Sequence, residues 1–112
     1  MLTNRKDNPD RKKVKHFRDV NQTNDFLADW EKLSRSGKHD MTRIKEAMTI
    51  LALNDGPMPP EWKDHPLEGK FNGYRECHVK GDLLLVYKIR PSSKVEILVF
   101  SRICTHSELF GR

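Results

Sequence analysis

Apolar residues recur at helical spacing in two stretches of the N-terminal half. Phe26, Leu27, Trp30 and Leu33 form one stripe, with Asn21, Thr23 and Asn24 available as N-caps and Gly37 as the stop. Asp40 is a good cap for the second stretch, where Met41, Ile44, Ala47, Met48 and Leu51 line one face up to Gly56-Pro57. Joined through Ser36-Gly37-Lys38-His39, the two helices make a hairpin whose apolar faces need a partner surface.

The period changes beyond a loop from Asn54 to Lys70, rich in Pro, Gly and Asp. Tyr74 to Val79 reads as a strand, Leu83 to Lys88 as the next, and Lys80-Gly81 as a tight hairpin turn between them. Lys94 to Phe100 is a third strand, reached through Arg90-Pro91-Ser92-Ser93. The middle run is apolar on both faces, as a central strand covered by helices on one side should be. Val14 to Val20 reads as a further strand, although its apolar residues fit neither period well. The expected fold is α+β, an N-terminal helical hairpin packed on one antiparallel sheet. It forms one domain over residues 1–112, with 1–13 a basic flexible arm.

Composition narrows the partners. Only 36% of residues are hydrophobic, 33% are charged and the formal net charge is +5, so the core is small and the surface favours a polyanion. No apolar run approaches the ~20 residues of a membrane span, and the charged N-terminus lacks the apolar segment of a signal peptide. Cys77 and Cys104 are the only cysteines, too few for a secreted disulfide scaffold, so two reduced thiols in a cytoplasmic protein are expected.

Candidate chemistry gathers in the C-terminal half. His65 precedes Pro66 and is therefore held extended. In a strand, His78 shares a face with Tyr74 and Glu76, while Arg75, Cys77 and Val79 point the other way. Asp82 follows four residues later, across the turn, and Arg102, His106 and Phe110 stand four residues apart at the end of the chain. If the third strand lies beside the second, His78, Asp82, Arg102 and His106 meet near the sheet ends. Such a set suits RNA cleavage without a metal. The 2′-hydroxyl attacks the adjacent phosphate, imidazoles take and give the protons, Arg neutralises the phosphate and an aromatic stacks on a base. Thr105-His106-Ser107-Glu108 matches the capping-box pattern, so Thr105 is expected to cap one helical turn whose first amides face a phosphate.

Four stretches also resemble a known family: Lys63 to Gly69, Gly73 to Val79, Asp82 to Lys88, and Arg102 through Thr105-His106 to Phe110. In this order they look like the YafQ branch of the RelE-like bacterial toxins, messenger-RNA endonucleases of type II toxin–antitoxin pairs. The resemblance implies a RelE-like, microbial-ribonuclease-like fold, no cofactor, and partners in a cognate antitoxin, the ribosomal A site with its rRNA, and messenger RNA. It also implies a toxin–antitoxin hetero-oligomer. Carried over by position, the functional residues are His65, His78, Asp82, Arg102, His106 and Phe110. His106 is the general acid, Asp82 or His78 the general base, His65 an assistant, Arg102 the phosphate ligand and Phe110 the stacking ring. Arg75 and Lys80 are expected to add RNA contacts. Three positions depart from the family: Gly81-Asp82-Leu83 replaces the common Pro-Asp-Trp at its first and last residues, and Cys104 replaces the Gly before the Thr-His pair.

Alternatives remain open at this level. A single histidine is more often structural than catalytic, and His16 and His39 have no company that suggests otherwise. Cys77, His78, Cys104 and His106, with His65 in reserve, invite a zinc reading. Alternation puts Cys77 and His78 on opposite faces, however, and no CxxC or HExxH spacing is present. A gyrase-poisoning toxin of the same fold, a simple RNA-binding module and a pure interaction protein are the rivals to the enzyme.

Overall fold

Thr23 opens the first helix, α1 (Asn24–Ser36): its hydroxyl accepts from the amide of Phe26 at 3.0 Å. The same hydroxyl donates to the carbonyl of Ser101 at 2.9 Å, tying the start of the helix to the sheet. Gly37 ends α1 at φ 68°, a backbone that side chains disfavour. Asp40 caps α2 (Met41–Leu53) through the amide of Thr42 at 3.0 Å. Asn54 then turns left-handed at φ 53°, so α2 stops before the expected Gly56-Pro57. The computed structural model describes residues 17–111. The basic arm expected at 1–13 and the first residues of the Val14–Val20 strand lie outside them.

Five strands form one sheet: β1 (Asp19–Gln22), β2 (His65–Pro66), β3 (Arg75–Lys80), β4 (Leu83–Arg90) and β5 (Ile97–Thr105), in the order β1-β5-β4-β3-β2. The α+β reading and the central place of the apolar strand hold. The sheet is mixed rather than wholly antiparallel, because β1 joins β5 in parallel. Every residue of β1 is exposed, so no alternation announced it. Backbone bonds hold it at both ends, Asp19 N to Glu96 O and Thr23 N to Phe100 O, each at 3.0 Å. β1 overlaps the end of the strand expected at Val14–Val20, whereas β2 is unannounced, two residues within the expected loop.

The third expected strand is displaced towards the C-terminus, to Ile97–Thr105 rather than Lys94–Phe100. Eight residues of β4 need ladder partners, and Leu83 to Val86 find theirs in Arg102 to Thr105. Register shifts once on the way: Tyr87 pairs with Phe100 but Val86 pairs with Arg102, which leaves Ser101 as a bulge. Were Ser101 an ordinary ladder residue, Arg102 would share Phe100's face. Because the bulge absorbs it, Phe100 and Ile103 both join the core under the helices, and Arg102 and Cys104 turn to the opposite face.

That division gives two cores. Phe26, Ile44, Ala47 and Leu51 of the helices pack on Cys77, Val79, Leu83, Leu85, Tyr87, Leu98, Phe100 and Ile103 of the sheet, with Trp62 among them. Leu27, expected in the buried stripe, is 49% exposed, off the contact face. On the other face Leu67, Val86, Cys104 and Leu109 cluster beside Phe71 and Tyr74. Leu109 belongs to a last helix, α3 (His106–Phe110), and the capping box is present in full. Thr105 Oγ1 accepts from Glu108 N at 3.2 Å while Glu108 Oε1 accepts from Thr105 N at 2.9 Å. Glu108 thus supplies its own anion at this helix start, and the backbone bond of Thr105, before any other cause, lowers its pKa. The box takes up the amides of Thr105 and Glu108, not those of His106 and Ser107, the first of the turn. Among the described residues no helix is long and apolar enough to cross a membrane.

Deleting Ser101 would bring Arg102 directly after Phe100, which keeps the pairs Tyr87–Phe100 and Val86–Arg102 and the faces of Arg102 and Ile103, while the Ser101 carbonyl that accepts from Thr23 is lost. We expect the deletion variant to keep cooperative thermal unfolding in circular dichroism with a lowered midpoint; loss of cooperative unfolding would show that the bulge itself is required.

Candidate active site

Trp62 anchors the approach to the site. Its ring is fully buried, and the Arg43 guanidinium of α2 lies 3.8 Å above it while Arg43 Nε donates to Val79 O at 3.1 Å. From that anchor the chain turns through Lys63, at φ 51°, into β2. There His65 stands directly opposite Glu76 of β3, so the two side chains share a face. His78 follows on that face two residues later, and His106 arrives from the first turn of α3.

All three imidazoles meet one carboxylate. Glu76 Oε2 is 3.0 Å from His65 Nε2, 3.5 Å from His106 Nε2 and 4.0 Å from His78 Nε2. The rings of His65 and His78 are 5.9 Å apart and those of His78 and His106 6.2 Å apart. Glu76 itself is 1% exposed, and its Oε1 has no hydrogen-bond partner among the described residues. It is the residue that sequence reasoning passed over. The available signal was its place on the His78 face, but alternation gives a face and not the depth.

Hydrogen-bond logic fixes a proton here. His65 Nδ1 lies 2.7 Å from the carbonyl of Lys63, which can only accept, so Nδ1 carries a hydrogen. Nε2 is then left facing the carboxylate, where a second proton would make the contact a charge-assisted hydrogen bond. Burial pushes the His78 imidazole below its ordinary range. Glu76 pulls the other way, and His65, Lys63 and His106 add to the lowering. Stability tied to neutral His78 is thus present above the ordinary imidazole range and is lost as pH falls through the depressed value.

The remaining expected residues divide. Phe110 stacks on His106, with centroids 5.4 Å apart and planes 24° apart, and is 38% exposed. Arg102 lies on the same face, in the cross-strand row Arg102–Val86–Glu76–His65. Its Nε and Nη2 are held by Asp29 of α1 at 2.7 and 3.1 Å, which raises its pKa further, and Asp29 also accepts from Ile103 N at 3.0 Å. Asp82 sits exposed in the turn between β3 and β4 and makes no hydrogen bond or ion pair among the described residues. Lys80 is exposed at the end of β3. Arg75 faces the helices instead, 3.0 Å from Asp64, which also accepts from the Tyr87 hydroxyl.

His65, Glu76 and His78 offer ligand atoms all within 4.8 Å of one another, a set able to hold a transition-metal ion. The cysteine-based zinc set does not assemble. Cys77 lies in the core under the helices and Cys104 in the other cluster. Burial pushes their thiols up to about 12 and about 11, so both are poor ligands at neutral pH.

A helical hairpin on this mixed sheet, with histidines at its far end, is the fold of bacterial toxins. A complex of DinJ and YafQ from Escherichia coli matches with a TM-score of 0.70 at 40% identity, covering 84% of this chain and 99% of that one. A toxin from Helicobacter pylori, described as metal-bound, matches at 0.71 and 37% identity, covering 82% and 98%. The sequence itself is 39% identical over 94 residues to the mRNA interferase toxin YafQ of Escherichia coli strain K12, spanning 84% of this chain and 97% of that protein. The model of bacterial toxins of type II toxin–antitoxin systems, YafQ, matches residues 18–111. The chain belongs to the YafQ toxin family.

Replacing Glu76 with Gln keeps the shape and removes the charge that supports a protonated His78. We expect the His78 titration, followed by two-dimensional NMR of the imidazole carbons, to move to lower pH in Glu76→Gln. A value unchanged or raised would mean that the carboxylate does not act on this ring.

Proposed function

We propose that this toxin is an endoribonuclease that cuts messenger RNA on the ribosome by metal-free acid–base catalysis. The carrying observation is three imidazoles around one buried carboxylate, flanked by an arginine and an exposed ring. His78, held towards its neutral form, takes the proton from the 2′-hydroxyl as that oxygen attacks the adjacent phosphorus in line. His106, half exposed, protonates the departing 5′-oxygen. The products are a 2′,3′-cyclic phosphate and a 5′-hydroxyl end. Glu76 and His65 hold one proton between them and return protons to the working imidazoles. Each transfer by a positioned side chain contributes roughly 10²–10⁴-fold.

Arg102 keeps Nη1 for the scissile phosphate while Asp29 fixes its fork, and Phe110 stacks on a base. Asp82, exposed and without an imidazole partner among the described residues, is the weaker candidate for the base and serves better as an RNA contact at the turn. The +5 charge favours an rRNA surface, and action on ribosomes puts the protein in the cytoplasm. A cognate antitoxin is the natural restraint, supported by the family and by the DinJ–YafQ complex of the relative. A transition metal on His65, Glu76 and His78 would occupy the lone pairs that move protons, and so inhibit.

In reconstituted translation, His106→Ala should cut messenger at least about a hundredfold more slowly than wild type, whereas His39→Ala should cut normally. Wild-type cleavage at the normal rate by His106→Ala would remove the acid. A chelator that binds transition metals and spares Mg²⁺ should leave cleavage intact, and added Zn²⁺ should suppress it. Abolition by the chelator would replace this mechanism with a metal-dependent one.

A further inference from the structure

A second concavity opens on the imidazole face, about 220 Å³ in volume, with Phe71, Tyr74, Val86 and Leu109 as its apolar lining and Asp25 and Arg102 as its charges. We propose that it seats one base of the RNA, guanine in preference, beside the phosphate that Arg102 holds. The proposal rests on the ribonuclease reading and deepens it.

Size comes first. The volume falls below the roughly 300–1,000 Å³ of sites for drug-sized ligands, and so suits one planar base rather than a whole nucleotide. The rings of Phe71 and Tyr74 stand 6.3 Å apart at 85°, so a base lying flat on one meets the edge of the other. Lys70 Nζ and Lys88 Nζ lie 5.5 and 5.0 Å over these rings and bring ammonium groups for the flanking phosphates. The cavity is also continuous with the site. Phe71 packs edge-on against Phe110 at 5.4 Å, and Phe110 stacks on His106. Leu83, beside Asp82, is buried in the helix-side core and presents no surface for stacking.

Charge selects the base. Asp25, exposed in the first turn of α1, makes no hydrogen bond among the described residues, so its carboxylate oxygens are free to accept. Guanine presents two adjacent donors, N1–H and the N2 amine, that a carboxylate can bind together. Adenine sets the N1 lone pair against that carboxylate, and the pyrimidines offer less area for stacking. Arg102, locked by Asp29, lies in the same lining with Nη1 uncommitted among the described residues.

The test uses the full chain carrying His106→Ala, titrated with the four 5′-mononucleotides and followed by amide NMR shifts. GMP should bind roughly tenfold or more tightly than CMP or UMP and more tightly than AMP, with the largest shifts at Thr23, Phe71 and Val86. Asp25→Asn, which offers one acceptor and one donor, should reverse the order of GMP and AMP. Equal binding of all four, shifts confined to the His65–His78 region, or a guanine preference that survives Asp25→Asn would overturn the proposal. Because this reads binding alone, its failure alongside intact RNA cleavage by the wild type leaves the ribonuclease reading standing.

Discussion

Taking a carboxylate out of water costs several kcal/mol unless protons or cations stand against it, and Glu76 is 1% exposed. What stands against it is three imidazoles, contributed by β2, β3 and α3. Each comes from a different piece of chain, so the carboxylate is the point at which the short edge strand, the hairpin and the last helix are made to agree. The Lys63 carbonyl completes the arrangement by fixing which nitrogen of His65 faces inwards.

The sheet delivers the rest by parity. The bulge absorbs Ser101, which leaves Arg102 on the face opposite Phe100 and so sets it in the row of Glu76 and His65. Asp29 then grips the guanidinium from α1, which links the helical hairpin, otherwise a covering layer, to the chemistry on the other face. The same parity explains Arg75. It is one residue from Glu76 and therefore lies across the sheet from the histidines, on Asp64.

Much of this was legible because it depends on local chemistry. Thr23, Asp40 and the Thr105–Glu108 box cap helices by bonds spanning two or three residues, and the central strand declares itself by being apolar on both faces. His65-Pro66 reads as extended, which it is. The illegible parts depend on distant chain. β1 has no apolar alternation, since its place comes from backbone bonds to β5. The bulge at Ser101 answers to the ladder of β4, so counting forward from Phe100 gives Arg102 the wrong face. The depth of Glu76 comes partly from what meets it, His65 of β2 and His106 of α3, and neither is in the strand's own sequence. For Asp82 the family pattern supplied a role that the geometry does not reinforce.

The direct test of the central claim is the pH dependence of single-turnover RNA cleavage by wild type, Glu76→Gln and Glu76→Ala. If the shared carboxylate organises the proton transfers, the wild-type profile has both an acidic and a basic limb. Glu76→Gln should then be slower with its acidic limb moved to lower pH, and Glu76→Ala slower still. Three superimposable profiles would contradict the account.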